Sequence, residues 1–313
     1  MKMINCKGRI YMLDVLTRAG CFIAIIVLGF LLRKFGFFKD DAFDTLSKIT
    51  IKITLPASII VSFSRMDLDP GLLTLGLLGL GCGLLYVLTA YLVNLRKKQH
   101  QAFDIVNLSG YNIGVFTLPF VQSFLGPVGV VATSLFDTGN AFVCLGGSFG
   151  IAASIKDGKG FDLKRILRAL LTSVPFVCYI VMILINLLKI TVPAPVLSLA
   201  EIIRSANAFI AMLMIGVGFQ LRADREQLGH ILKIIGLRYS IATVIALVFY
   251  FLLPYSPEIR QALVILAFAP IGSAAPAFTG ELKEDVGLSS AVNSLCIVIS
   301  IVIIVTLLSF MQI

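Results

Sequence analysis

Charge is what this sequence has least of. Of 313 residues only 14% are Asp, Glu, Lys or Arg, whereas 58% are hydrophobic and the mean hydropathy is +0.98. A soluble domain carries about 25% charged residues. A surface this poor in charge is not one that water can cover, so the outside of the molecule faces lipid. Histidine is also scarce: His100 and His230 are the only two, both beside charged segments. No HExxH or His/Asp cluster exists to hold a catalytic ion. The six cysteines (Cys6, Cys21, Cys82, Cys144, Cys178 and Cys296) show no close spacing and mostly sit in apolar runs. They read as small hydrophobes, not as a disulfide framework or metal site. There is no Walker pattern, nucleophile elbow or nucleic-acid module, and no nucleophile–base pair for an intramembrane enzyme. The expectation is a non-enzyme with no metal, no cofactor and no nucleic-acid partner. No cleavable leader is expected either. Leu16-Thr17-Arg18-Ala19-Gly20-Cys21 superficially suggests a lipoprotein site, but Asp14 and Arg18 interrupt the apolar stretch it needs. Met12 is a candidate start, which would make the residues before it an extension.

Long apolar runs are what the sequence does have, and about 20 such residues cross a bilayer. Candidate spans fall near 13–32, 49–63, 72–95, 105–125, 128–153, 166–188, 196–221, 231–253, 259–279 and 286–312. The fold class expected is an all-α polytopic membrane protein of ten transmembrane helices. Basic residues cluster after the odd-numbered spans: Arg33 and Lys34; Arg96, Lys97 and Lys98; Lys156, Lys159, Lys164, Arg165 and Arg168; Arg222, Arg225 and Lys233; and Lys283. By the positive-inside rule these loops lie inside, and both termini lie outside the cell membrane. The net charge of +9 is then topological, not a nucleic-acid footprint.

The chain repeats itself weakly. Thr133, Asp137, Asn140 and Cys144 share one helical face of the fifth span, and Ser289, Asn293, Cys296 and Ser300 have the same spacing in the tenth, 156 residues later. Gly114 and Pro119 recur, slightly shifted, as Gly272 and Pro276. Two halves, 1–156 and 157–313, would each hold five spans, and an odd number turns the second upside down. Inverted repeats of this kind are a transporter feature.

Two spans are not simple helices. Asn112-Ile113-Gly114-Val115-Phe116-Thr117-Leu118-Pro119 and Ala269-Pro270-Ile271-Gly272-Ser273-Ala274-Ala275-Pro276 put prolines and glycines near mid-membrane. Proline removes a donor and clashes with the preceding turn. Freed backbone groups are costly in hydrocarbon unless they line a wet cavity or meet a ligand. A broken helix also presents N–H groups and about half a positive charge, which suit an anion. A packing kink explains one such span equally well, but two at corresponding places favour a site. Candidate substrate-binding residues are Asn112, Gly114, Thr117, Pro119, Pro270, Gly272, Ser273 and Pro276. Asp137 lies near the midplane, where a charge costs at least about 2.5–3.5 kcal/mol. Asp137 and Asn140, with Asn293 at the matching place, are the candidates for a coupling H+ or Na+. The alternative is an Asp137 that ties the fifth span to the broken fourth. Arg204 and Arg238 are expected to snorkel or pair, with Glu201 one turn from Arg204. The run from Glu281 to Asp285 is expected as a solvated inner loop. Gly76, Gly79, Gly81 and Gly83, and likewise Gly146, Gly147 and Gly150, are expected to serve close helix packing.

Leu32-Arg33-Lys34-Phe35-Gly36-Phe37-Phe38, Leu46-Ser47-Lys48 and Leu55-Pro56-Ala57, with the Asn112-x-Gly114-x4-Pro119 break, the polar fifth span and Ala269-Pro270 before Pro276-Ala277, resemble the auxin efflux carrier family. That resemblance implies a five-plus-five inverted repeat, a scaffold and a transport half, and crossed broken helices four and nine at the substrate site. It also implies alternating-access transport of organic anions, commonly auxin in plants and malate- or malonate-like acids in bacteria. The short loop between the halves resembles the bacterial members, and a homodimer is a family-level expectation. Residues 205–211 lack the proline many relatives carry, and Thr172-Ser173-Val174-Pro175 lacks the usual asparagine. The competing expectations are a bile-acid/sodium symporter-like carrier on a similar crossed-helix plan, and a non-transporting membrane receptor.

Overall fold

Lipid offers no partner for an open N–H or C=O, so a chain this apolar is driven into helices. The computed structural model describes residues 2–39, 41–95, 98–158, 162–220 and 227–311, and all regular structure among them is helical. Helix α1 spans Lys2–Lys34 and is apolar from Leu16 onward. Helix α2 (Ala42–Ile49) runs through a π-helical turn, Thr50–Thr54, into α3 (Leu55–Ser64), and a 3-10 turn, Pro70–Leu73, opens α4 (Thr74–Val93). Next come α5 (Gln101–Leu108), a non-helical gap, a π-helical turn at Ile113–Thr117 and α6 (Leu118–Phe124). Helix α7 (Gly126–Phe142) continues through a π-helical turn, Val143–Gly147, into α8 (Ser148–Asp157). The second half of the chain begins with α9 (Leu163–Thr172) and α10 (Val174–Leu187), followed by α11 (Ala194–Ser205), α12 (Asn207–Gly218) and α13 (Leu228–Phe251). It closes with α14 (Pro257–Ala267), a second gap, α15 (Ala275–Glu281) and α16 (Val286–Phe310).

Seven of these stretches are long and apolar enough to cross a membrane, and α9 with α10 makes an eighth if counted as one bent span. The two remaining sequence candidates, 105–125 and 259–279, are each a pair of short helices flanking a gap. The sixth candidate span differs from its expectation as a continuous helix. It bends by 73° between α9 and α10 at Ser173, because Pro175 in the first turn of α10 has no N–H for the carbonyl of Leu171 and its ring clashes there, so the helix cannot run through. The second is longer than expected, beginning at Ala42, with an exposed Asp44–Lys48 pair one turn apart. Large apolar side chains such as Leu77, Ile202, Val244 and Phe251 point outward, each more than 60% exposed. That is the outer surface a lipid solvent selects.

Close backbone approach replaces side-chain interdigitation at two helix crossings. A Cβ on Gly139 would overlap the carbonyl oxygen of Gly76, and one on Gly79 that of Phe136, so α4 and α7 touch backbone to backbone. Gly29 and Gly216 do the same for α1 and α12. The packing expected of Gly76, Gly79 and Gly83 is therefore present, whereas Gly81 faces open space. Gly139 on α7 is the glycine that meets Gly76, while Gly79 packs on the Phe136 backbone and Gly83 on the Val143 side chain.

Loop contacts gather the helix ends into two sets. In one, Arg33 donates to the Val217 carbonyl at 2.7 Å, Lys156 pairs with Glu284, Arg165 pairs with Glu281 at 2.6 Å, and Gln227 donates to Asp285 at 2.7 Å. The run from Glu281 to Asp285 is exposed at Glu281, Lys283 and Asp285, as a solvated loop should be, and is also docked on α8, α9 and the start of α13. In the other set, Arg65 takes Glu201 at 2.6 Å, so Glu201 is engaged across the fold instead of by Arg204. Arg96, Lys97, Lys159, Arg222 and Arg225 lie outside the described residues. At the loop end of α5, buried Asp104 meets His230 at 2.5 Å and Lys233 at 2.9 Å. Burial alone would raise its pKa, but hydrogen bonds from His230, Lys233 and Asn94 hold the carboxyl below the usual carboxylate range.

Gly139→Ala is expected to lower the thermal unfolding midpoint in detergent, by an overpacking cost of at least about 1–3 kcal/mol. Gly81→Ala, at open space on the neighbouring helix, should leave the midpoint in place; equal midpoints for both would contradict the backbone contact.

Candidate functional site

The two gaps meet each other. After α5 the chain leaves the helix at Ser109, turns on Gly110 (φ +76°) and rejoins at Ile113. After α14 it is extended through Pro270 and re-enters a helix at Ala275. The Asn112 N–H donates to the Pro270 carbonyl at 2.9 Å, a bond between two interruptions 158 positions apart. Pro270 lacks an N–H and leaves the geometry of its segment fixed. Only glycine suits position 110, because its φ is left-handed and a Cβ there would press on the Cys144 sulfur.

Side chains from α7 and α13 satisfy backbone groups that the gaps set free. Asn140 donates to the Tyr111 carbonyl and accepts from the Tyr111 N–H, both at 3.0 Å, so one amide replaces two lost helix bonds. The same Nδ2 donates to Asp137 Oδ1 at 2.8 Å, and Tyr179 Oη on α10 donates to Asp137 Oδ2 at 2.9 Å. Asp137 therefore bridges α7 to α10, with Asn140 as its link to the broken segment. Arg238, expected to snorkel or pair, is 1% exposed and bonds within the protein. Its guanidinium donates to the carbonyls of Leu108 at 2.6 Å, Gly110 at 2.9 Å and Ala269 at 2.7 Å. A short side-chain path to the ends of α5 and α14 outcompetes the longer one to the headgroups.

Two clefts flank the paired gaps. One, of about 130 Å³, is lined by Asn112, Gly114, Asp137, Asn140, Tyr179, Gly272 and Ser273. The other, of about 340 Å³, is lined by Arg33, Asn112, Gln220, Ser273, Pro276, Ser290 and Asn293. Asn112 and Ser273 face both. The side-chain oxygens of Asn112 and Asn293 are buried without a partner, a state that costs free energy unless something comes to bind them. Thr117 and Pro119 line neither cleft. Thr117 spends its hydroxyl on the Asn112 carbonyl at 3.1 Å, and Pro119 is packed in the first turns of α6. Pro270 acts through its carbonyl.

On α6, beyond the gap, Gln122 accepts from Ser58 of α3 at 2.8 Å and from Asn207 of α12 at 3.4 Å, while Thr54 donates to Asn207 at 2.8 Å. This buried polar layer closes the helices together where the clefts do not reach. Behind the gaps, Asn107 of α5 donates to Thr279 of α15 at 3.0 Å and accepts from Ser289 of α16. Gly110, Tyr111, Tyr179, Arg33 and Arg238 were not picked out as site residues from the sequence. A lone arginine in an apolar run is a signal by cost alone. Tyr111 and Tyr179 carried none.

Neutral amides, hydroxyls and open helix ends in an apolar surround are groups able to hydrogen-bond and orient a small polar ligand; among the described residues no metal-holding cluster exists. The apolar, helical fold of the described residues is that of a multi-pass membrane protein. Residues 21–156 match the family model described as membrane transport protein, which bears out the family resemblance read from the motifs. The chain is 24% identical over 291 residues to an uncharacterized transporter of Methanothermobacter thermautotrophicus, covering 90% of this chain and 93% of that protein. It is 23% identical over 210 residues to one from Methanocaldococcus jannaschii, covering 64% of this chain and 67% of that protein.

Asn140→Ala should strand the N–H and C=O of Tyr111 away from water, at about 1–3 kcal/mol each. Thermal unfolding in detergent is expected to show a clear drop for it and none for Thr89→Ala, whose exposed hydroxyl bonds only its own helix. A wild-type midpoint for Asn140→Ala would show that the amide is not what holds the gap.

Proposed function

We propose that this chain is a secondary transporter that moves a small organic anion, a carboxylate such as malate, malonate or an auxin-like acid, across the cell membrane by alternating access. In this reading the halves 1–156 and 157–313 are inverted five-span repeats, with both termini outside. The fourth and ninth spans are the broken ones and cross at the substrate. The observation that carries the reading is the direct bond between the two gaps, Asn112 N–H to Pro270 carbonyl, with clefts on both sides of it sharing Asn112 and Ser273. The repeat is supported by Asp137 and Asn293, 156 residues apart in sequence, each lining one of those clefts.

Binding would rest on Asn112 and Ser273, with Gly114, Gly272 and Pro276 allowing close approach of backbone. Open helix amides at the gaps supply positive potential. Arg33 at the rim of the larger cleft adds attraction for a carboxylate. Thr117, Pro119 and Pro270 shape the gaps and do not touch the anion. Asp137 with Asn140 is the candidate proton or sodium site in the first half, and Asn293 is its uncharged counterpart. A change of cleft access requires the Gln122 layer to part while the larger cleft closes.

Uptake of labelled malonate and malate into proteoliposomes tests this. Asn112→Ala with Pro276→Ala is expected to cut uptake by about tenfold or more, the worth of one good hydrogen bond to a charged ligand. Uptake that stays at the wild-type level would sink the site. An imposed pH or sodium gradient should drive uptake, and Asp137→Asn should abolish that dependence. A strict sodium requirement with ligands at the gaps would favour the bile-acid/sodium symporter-like alternative, and absence of flux for any organic anion would favour a receptor.

A further inference from the structure

Arg238 presents a puzzle that transport of an anion does not by itself resolve. It is a fully buried cation, and among the described residues no carboxylate forms an ion pair with it. Its partners are three backbone carbonyls: Leu108 at the last turn of α5, Gly110 in the first gap, and Ala269 just past α14. The rings of Tyr86 and Tyr111 lie 5.0 and 5.3 Å from the guanidinium carbon and complete its surround. Nε has no partner.

A helix C-terminus carries about half a negative charge. Two C-termini, those of α5 and α14, converge on this one guanidinium, so their charges together offset it. Carbonyls from unwound segments and half-helix C-termini are also the ligand set with which membrane carriers hold a free monovalent cation. We infer that Arg238 is a tethered cation: its guanidinium fills the carbonyl cage between the two broken helices and does there what a bound metal cation would otherwise do. It joins the halves through three hydrogen bonds that run to both gaps. It also makes that position independent of sodium, since the cage is already occupied. This goes beyond the transport reading, because it concerns the cage and holds whatever the protein carries.

Cation replacement tests it on purified protein in detergent, with no transport assay. In an Asp137→Asn background, which removes the other candidate sodium site, the protein with Arg238 intact should unfold at the same temperature in sodium, potassium and choline chloride, and the Arg238 variants are compared in that background. Arg238→Ala empties the cage, and its midpoint should rise by about 5 °C when choline is exchanged for sodium or when a few millimolar guanidinium is added. Arg238→Lys keeps a cation and should stand well above Arg238→Met, which keeps similar volume without charge. Recovery of folded Lys variant where the Met variant is not recovered counts as support. The inference is overturned if Lys and Met variants are equally stable or fail alike, or if a folded Arg238→Ala protein ignores every cation offered.

Discussion

Inside a membrane each backbone N–H and C=O has to find its partner within the protein, and two gaps in this chain put that constraint under strain. Residues 109–112 and 268–274 give up helical bonding near the middle of the molecule. The compensation is specific: Asn140 replaces both bonds of Tyr111, Asn112 and Pro270 bond one another, and Arg238 collects three carbonyls. Remove that compensation and neither gap has a stable conformation in hydrocarbon. The arrangement of α7 and α13 around the gaps follows from it.

The same constraint explains why the site is polar without being charged at its centre. Groups used up on the backbone, such as the Thr117 hydroxyl, are unavailable to a ligand. Groups left over, the amide oxygens of Asn112 and Asn293, lie beside the clefts. Asp137 is held by Tyr179 and Asn140, so its carboxyl couples the polar face of α7 to α10. Glycine contacts between α4 and α7 and between α1 and α12 fix the surrounding helices at backbone distance.

Much of the architecture was legible because hydropathy and proline position act locally. Apolar length marked the continuous spans, and Pro119, Pro270 and Pro276 marked the regions of both gaps. What sequence did not disclose depends on partners far along the chain. The first gap turns on Gly110, not Gly114, since only the Cys144 contact and the left-handed φ distinguish them. Arg238 looked like a snorkelling residue, because its position along α13 says nothing about carbonyls released by α5 and α14. The bend at Ser173 has a local signal in Pro175, whose missing N–H and ring break the turn before it. The docking of Glu281 and Glu284 needed the basic ends of α8 and α9 brought alongside.

The central claim is that the paired gaps are the pivot of alternating access, with the larger cleft open while the Gln122 layer is shut. Single cysteines at Ser290, in that cleft, and at Ser58, in the closed layer, report on each directly. In proteoliposomes treated with a membrane-impermeant thiol reagent, the account predicts that the two positions react from opposite faces. It also predicts that malonate or malate shifts their labelling rates in opposite directions. Labelling of both from one face, or rates that rise and fall together, would contradict it.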